Sequence, residues 1–189
     1  MGKGLVEKLQ AELNVSSEWL PYEVHPETPL RGVELAEYFP DLDPAAFMAE
    51  MDRRGAPLGK RFGGQRLLSN SRHALLGGIH AARQGRADIY DEAVFRAYFT
   101  DGADIGDMAV LGSAAAAAGL DKAEFMRAVQ DGRYEPVLQE YARQARGQGV
   151  RAAPTFFIEG YGKIVGAQPF AVLRDAVVRA AGGTPPPAL

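Results

Sequence analysis

Residues 149–169, GVRAAPTFFIEGYGKIVGAQP, decide the fold of this chain. The apolar run APTFFI opens with Pro154, which cannot donate to a sheet ladder and therefore belongs at the first residue of a strand or on a sheet edge. A turn at 160–162 leads into a second short strand, KIV, and Pro169 then precedes a helix. The order strand, tight turn, strand, helix predicts a β-hairpin against which a helix packs.

The segment before residue 31 predicts one helix and one strand. Leu5, Leu9 and Leu13 recur at helical spacing, which predicts a first helix over residues 3–13. Residues 17–25, SEWLPYEVH, alternate between apolar and polar side chains, the pattern of a half-buried strand. We therefore expect an α/β unit built from the two ends of the chain.

The middle of the chain, residues 31–148, has a helical pattern throughout, with short glycine-containing breaks. The Ser69-Asn70-Ser71 stretch offers N-caps for one of these helices. The predicted helices cover residues 32–39, 43–62 with a bend at Pro57, about 71–84, 88–99, 107–118, 122–131 and 135–148, and a last helix covers 170–181. This pattern predicts an all-helical insertion in the α/β unit.

Composition excludes several classes of protein. The chain has 189 residues, 47% of them apolar, enough for a hydrophobic core. A net charge of −3 without a basic block argues against nucleic acid as a partner. No apolar run approaches 18 residues and the first ten residues lack a signal-peptide core, so we expect no membrane partner and a cytoplasmic location. The absence of cysteine excludes disulfides and thiolate chemistry within this chain.

Five segments, taken in order, resemble the DsbA-like thioredoxin family, in particular its FrnE-type and 2-hydroxychromene-2-carboxylate isomerase-like branch. They are PYEVHP at 21–26, SNSRHAL at 69–75, FRAYFTDGADIGD at 95–107, AGLDKAEF at 118–125, and GVRAAPTFFIEG at 149–160 with GAQP at 166–169. The resemblance spans about residues 2–182. It implies an α/β, thioredoxin-like fold interrupted by an all-helical insertion. The implied domains are an incomplete thioredoxin-like domain from 1–30 and 149–183 and the insertion from 31–148. The tail, residues 184–189 (TPPPAL), is expected to be disordered from its composition.

The resemblance also implies where the family's chemistry would lie. The family places a strand and a Cys-Pro-x-Cys motif before its first helix, and Met1-Gly2-Lys3 is similar to the residues that follow this motif. The dithiol therefore has no counterpart here, and we expect no catalytic residue and no metal site. We expect an N-terminally truncated fold in which Met1 is an internal methionine of a longer protein. Closure of the sheet by its remaining strands, or by a partner chain as in a homodimer, are the alternatives.

Four residues are candidates for substrate binding. Pro154 matches the family's cis-proline, and the backbone of Ala153 before it is implied to hold extended substrate or glutathione. Asn70 matches a groove residue of the isomerase-like branch; the sequence alone favours a helix N-cap, and a cap can also lie at a cleft. His25 follows the predicted strand and could serve as an acid or base near a ligand, or simply be a turn residue.

The resemblance implies a thiol–disulfide oxidoreductase or isomerase family, with a polypeptide or thiol as substrate and no cofactor. Because this chain has no cysteine, we expect it to be inactive in disulfide exchange. One alternative is a glutathione-dependent isomerase-like protein of the kappa-type transferase kind, for which glutathione would be the cofactor. The other is a redox-inactive peptide-binding module that uses the groove beside Pro154.

Overall fold

The structure is a computed structural model, and it describes residues 1–184. It is a mixed α/β protein that is mostly helical, with two small sheets. In chain order the elements are α1 (Gly2–Glu12), β1 (Val33–Glu34), α2 (Leu35–Tyr38), α3 (Pro44–Gly55), β2 (Leu67–Leu68), α4 (Arg72–Arg83), α5 (Ala87–Phe95), α6 (Met108–Ala117), α7 (Lys122–Gln130), α8 (Glu135–Gly147), β3 (Thr155–Ile158), β4 (Gly162–Val165) and α9 (Phe170–Ala180).

The C-terminal hairpin forms as its sequence predicts. β3 and β4 pair antiparallel, in a register that runs from Thr155 opposite Val165 to Ile158 opposite Gly162. In the turn, Gly160 has a φ of 78°, a conformation that glycine adopts without steric cost. α1 and α9 pack against one face of the hairpin, around a small core of Leu5, Leu9, Ile164, Leu173 and Ala176.

The helical middle has a larger core of its own. α4 lies at its centre and contacts α5, α6, α7 and α8. Its fully buried side chains include Leu76, Tyr90, Leu111 and Phe125. The prediction that residues 31–148 are all-helical is wrong, because β1 and β2 lie among them, and β1 takes the start of the helix predicted at 32–39. The other predicted helices are present with different ends: α3 stops at Gly55, and Pro57 falls in a short 3-10 turn, Ala56–Leu58. α5 continues into a π-helical turn, Arg96–Thr100.

The predicted strand at 17–25 is wrong. This segment has no regular structure, and the only strands besides the hairpin in residues 1–184 are β1 and β2, which pair antiparallel. Alternation indicates one half-buried face, but a strand also needs a neighbour for its backbone groups, and none runs beside residues 17–25. Side chains hold the segment instead: the hydroxyl of Tyr22 donates to the Val150 carbonyl oxygen at 3.1 Å.

Two further expectations concern the C-terminal tail and the membrane. Of the predicted disordered tail, residues 185–189 lie outside the described part of the chain. Across residues 1–184, none of the helices has the length and apolar character needed to cross a membrane.

Candidate functional site

The N-terminus of α1 meets the start of β3. The Ala153–Pro154 peptide bond, at the entrance to β3, is cis. A Cβ atom placed on Gly2 would lie 3.0 Å from the Cβ of Pro154 and 3.6 Å from Cη2 of Trp19. Glycine at position 2 therefore allows the first turn of α1 to lie directly against the proline ring.

The backbone of Ala153 makes no hydrogen bond to the hairpin. Gly166 donates its N–H to the Pro154 carbonyl oxygen at 2.8 Å, which makes these two residues a hydrogen-bonded pair of the ladder. Because such pairs alternate along antiparallel strands, the backbone groups of Phe156 and Ile158 also face β4, whereas those of Thr155 point outward. Ala153 precedes β3, in the bend before the cis bond, and it is exposed.

The first turn of a helix carries unpaired N–H groups and a partial positive charge, which favour an anion or a thiolate nearby. The first turn of α1 contains no acidic side chain that would neutralise this charge. The arrangement beside Pro154 is thus suited to a negatively charged or hydrogen-bond-accepting ligand. The chain itself supplies no thiol to this position, since it has no cysteine.

An ionic network ties α1 to the helical middle. The Lys60 ammonium lies 3.1 Å from a Glu7 carboxylate oxygen and 3.2 Å from one of Glu92, on α5. Lys3 lies 3.5 Å from Glu92 and donates to the Asp88 carbonyl oxygen at 3.0 Å. Burial would lower the pKa of Lys60, but the hydrogen bonds that Lys60 donates to Glu7 and Glu92 outweigh it, and the pKa is raised.

Asp91 lies beside this network on α5. Burial raises the pKa of its carboxyl group to about 6; Lys3 opposes this shift and Asp88 adds to it. One carboxyl oxygen would lie 3.6 Å from a Cβ atom placed on Gly78 of α4, so the group is enclosed between two helices. It is a titratable group within reach of the charges that hold the N-terminus of α1.

Asn70 makes its hydrogen bonds within the protein. Its side chain is buried, with 7% of the residue exposed. The amide nitrogen donates to the Thr28 carbonyl oxygen at 2.6 Å, and the amide oxygen accepts from the backbone N–H of Arg72, the first residue of α4, at 3.0 Å. Asn70 thus joins the start of α4 to the loop before β1, as a cap does. A role for it in a substrate groove stays a prediction.

His25 lies in an aromatic turn cluster. Its Nδ1 is 3.1 Å from the Tyr38 hydroxyl oxygen and 3.3 Å from a Glu27 carboxylate oxygen. The rings of Tyr38 and Phe39 stand edge-on to it. Within residues 1–184, no hydrogen bond or ring contact joins His25 to Ala153 or Pro154. The structure brings Ala153 and Pro154 together with Gly2 and does not join His25 to them by a direct contact.

A pair of ionic contacts that the sequence did not predict positions residues 17–25. Arg72 donates to Glu23 at 2.8 Å and also pairs with Glu135 of α8. The Glu23 side chain is only 9% exposed. Arg72 stands in the SNSRHAL segment and Glu23 in PYEVHP, so the partners lie in two segments of the resemblance, but nothing in the sequence pairs them.

Comparison with known proteins decides the family. A family model described as the DSBA-like thioredoxin domain matches residues 2–178. The chain belongs to the DsbA-like thioredoxin family. It is 28% identical over 170 residues to the uncharacterized protein YwbO of Bacillus subtilis, an alignment that covers 84% of this chain and 79% of that protein.

A solved structure shares the fold. The crystal structure of a probable DsbA oxidoreductase from Streptomyces coelicolor superposes with a TM-score of 0.87 over 100% of this chain and 86% of that one, at 22% identity. At this identity the likeness speaks for the fold of the family. This DsbA-like chain thus combines a cis-proline, the N-terminus of a helix and an outward-facing strand edge with a sequence that contains no cysteine. Residues 1–184 also contain no group of three His, Asp or Glu side chains placed to bind a metal ion.

Proposed function

We propose that these 189 residues act as a redox-inactive, polypeptide-binding unit of the DsbA-like family. The unit would hold an extended segment through the backbone of Ala153, beside Pro154. The observation that carries the proposal is the state of Ala153: it is exposed, and within residues 1–184 no hydrogen bond uses its N–H or C=O. Unpaired backbone groups on a strand edge are the feature that binds a further strand.

The chemistry of the chain supports binding rather than exchange. Thiol–disulfide exchange requires a thiolate that attacks a disulfide sulfur and a second thiol that resolves the mixed disulfide. This chain offers neither, whereas main-chain hydrogen bonds at Ala153 require no particular side chain. Glutathione is itself a small peptide and would meet the same backbone groups, so we propose it as a competitor for the site.

We expect the 189-residue chain to produce no dithiothreitol-dependent reduction of insulin above background. The physical reason is the absence of any cysteine to carry the electrons. The measurement is the turbidity of precipitating insulin B chain, with a dithiol-containing thioredoxin as the positive control. Turnover that rises in proportion to the concentration of pure protein would contradict the proposal of a redox-inactive unit.

Replacement of Ala153 by proline is expected to weaken peptide binding about fivefold. The substitution removes the N–H of Ala153, and one hydrogen bond contributes about 1 kcal/mol. The probe is a fluorescein-labelled, reduced and alkylated insulin B chain, followed by fluorescence anisotropy. Ala153→Ser retains the N–H and is expected to bind within about twofold of the wild type, provided that both variants keep the wild-type circular dichroism spectrum. Equal affinity for all three proteins would exclude Ala153 as the contact.

A further inference from the structure

An open cavity lies in the helical middle of the fold. It has a volume of about 300 Å³ and forms where the end of α4 and the turn into α5 meet the turn between α6 and α7. Its lining consists of His80, Gln84 and Arg86 on one side and of residues 119–121 and Glu124 on the other. A cavity of this size is at the lower end of the range for small-molecule sites.

His80 turns one ring nitrogen toward this cavity. The residue is only 3% exposed, and its Nδ1 lies 3.1 Å from the Tyr134 hydroxyl oxygen. This hydroxyl has no other acceptor within residues 1–184, so it donates to Nδ1. Burial lowers the pKa of His80, so the ring is neutral near pH 7 and carries its one proton on Nε2. Nε2 has no hydrogen bond in the described part of the chain and is not sealed from solvent, and it therefore reaches the cavity as a free donor.

The negative charges that border the cavity are already engaged. The Asp121 carboxylate accepts from the backbone N–H of Glu124 at 2.7 Å, and the Glu124 carboxylate accepts from Arg127 and Arg133. Several of the last carbonyl oxygens of α4 and α6 accept from backbone N–H groups just beyond each helix. A cation would therefore gain little by entering this cavity.

The donors of the cavity, in contrast, are not engaged. Gln84 and Arg86 are exposed, and neither side chain forms a hydrogen bond or an ion pair within residues 1–184. His80 and Gln84 stand four positions apart and so share one face at the end of α4. The cavity thus offers two neutral donors and one guanidinium, and a guanidinium can bind a carboxylate through two parallel hydrogen bonds.

We propose that this cavity binds a small organic monocarboxylate. The Arg86 guanidinium pairs with the carboxylate, and Gln84 and Nε2 of His80 donate to its oxygens. Leu120, which is half-buried in the lining, contacts the apolar body of the ligand. A dianion such as a phosphate ester is disfavoured, because two carboxylates of the protein border the cavity and only one guanidinium in it is free. The inference is independent of the proposed function, which uses none of these residues.

Titration of the full chain with sodium benzoate, followed in the ¹H–¹⁵N correlation spectrum, tests the site. We expect saturable shifts of the backbone amides of residues 119–124, with a Kd of about 1 mM for so small a ligand. Benzamide has nearly the same shape without the charge and is expected to bind about tenfold more weakly. Phenylphosphonate presents a second negative charge and is also expected to bind more weakly than benzoate. Sodium chloride keeps the ionic strength equal in all titrations.

Three variants test the donors. Arg86→Gln is expected to weaken benzoate binding about tenfold, since it removes a charged hydrogen-bond donor at an exposed position. Arg96→Gln makes the same change of charge beyond the other end of α5, outside the cavity, and is expected to stay within about twofold of the wild type. His80→Asn can retain an acceptor for Tyr134 but loses the Nε2 proton, and about fivefold weaker binding is expected. The amide spectrum of each variant establishes that it is folded.

The tautomer of His80 gives a readout that does not depend on any variant. A long-range ¹H–¹⁵N spectrum of the wild type is expected to show the proton on Nε2. A proton on Nδ1 would overturn the role of His80 as a donor.

Several results would overturn the site itself. They are the absence of saturable shifts at 119–124 in the millimolar range, equal affinity for benzoate and benzamide, and tighter binding of phenylphosphonate than of benzoate. Equal losses in Arg86→Gln and Arg96→Gln would reduce the effect to the net charge of the protein. None of these outcomes bears on peptide binding at Ala153, so the two proposals fail separately.

Discussion

Replacement of Gly77 by alanine is expected to lower the free energy of unfolding by about 3 kcal/mol. A Cβ atom at this position would lie 2.2 Å from the Tyr90 hydroxyl oxygen and 2.7 Å from Cζ of Phe125. Both rings are fully buried, and Tyr90 also donates to the Ala74 carbonyl oxygen at 3.2 Å, so neither can retreat without a loss of packing or of that hydrogen bond. Overpacking therefore outweighs the gain of about 1 kcal/mol that alanine contributes over glycine in a helix interior.

The adjacent residue is a matched control. A Cβ atom on Gly78 would meet nothing closer than an Asp91 carboxyl oxygen at 3.6 Å, an ordinary van der Waals distance. Gly78→Ala should be neutral or stabilise by up to about 1 kcal/mol, since it gains helix propensity without a clash. Urea unfolding of the two variants, followed by circular dichroism, provides the comparison. Equal stability of the two variants would show that α4 and α7 are not packed as closely as the structure has them.

The large loss of stability expected for Gly77→Ala shows why the helical middle can be rigid although its sequence is rich in small residues. α4 contacts α5 and α7 through a face on which Gly77 leaves room for two aromatic rings. The space that a small residue leaves on one helix is filled by larger side chains of the neighbouring helices, which keeps the packing dense. The stability of this part supports the ionic contacts through which Glu92, on α5, holds Lys3 and Lys60 near the N-terminus of α1.

The parts of the fold that the sequence predicted are those with local causes. Pro154, the glycines of the turn and the apolar run between them predict a hairpin because each acts on its own neighbourhood. The helices follow in the same way from apolar spacing and from caps such as Asn70, whose amide oxygen accepts from the N–H of Arg72. Their ends shifted by a few residues because fraying and π-helical turns depend on packing.

The strand predicted at 17–25 and the pairing of β1 with β2 show where local reasoning ends. The burial at 17–25 does not alternate as predicted: residues 17–20 are exposed and residues 21–25 are all half-buried, because pairing depends on a neighbour elsewhere in the chain. The β1–β2 pairs join residues that lie more than thirty positions apart, as in Val33 with Leu68. Strands of two residues carry too little pattern to be recognised in a sequence.

The candidate site likewise has a part that the sequence predicted and a part that it did not. Ala153 and Pro154 were predicted from a motif, and the structure adds that Gly2 lies against the proline and that Ala153 is exposed. The contact between Arg72 and Glu23 was not predicted, because it joins side chains from distant segments. The direction in which a backbone group points follows from strand register, which no composition or spacing reveals.

The second large effect is expected from Asp91, through pH. Burial raises the pKa of this carboxyl group from 3.8 to about 6 in the folded protein. As the pH rises from about 4 to about 6, the unfolded chain loses this proton before the folded protein does, so folding becomes less favourable. Two pKa units correspond to at most about 3 kcal/mol of stability, which is present below pH 4 and lost above pH 6.

Asp91→Asn removes this titration. We expect the variant to be more stable than the wild type at pH 7, by up to about 3 kcal/mol, and the difference to vanish toward pH 3.5. Urea unfolding at pH 3.5, 5 and 7 measures it. Glu92→Gln serves as the control of opposite sign: burial would raise the pKa of Glu92, but hydrogen bonds and charge from Lys60 and Lys3 outweigh it and lower the pKa. That variant should therefore be less stable than the wild type at pH 7 and approach it in acid. A constant difference between Asp91→Asn and the wild type across this range would show that Asp91 is ionised at its ordinary pKa and is not enclosed between α4 and α5.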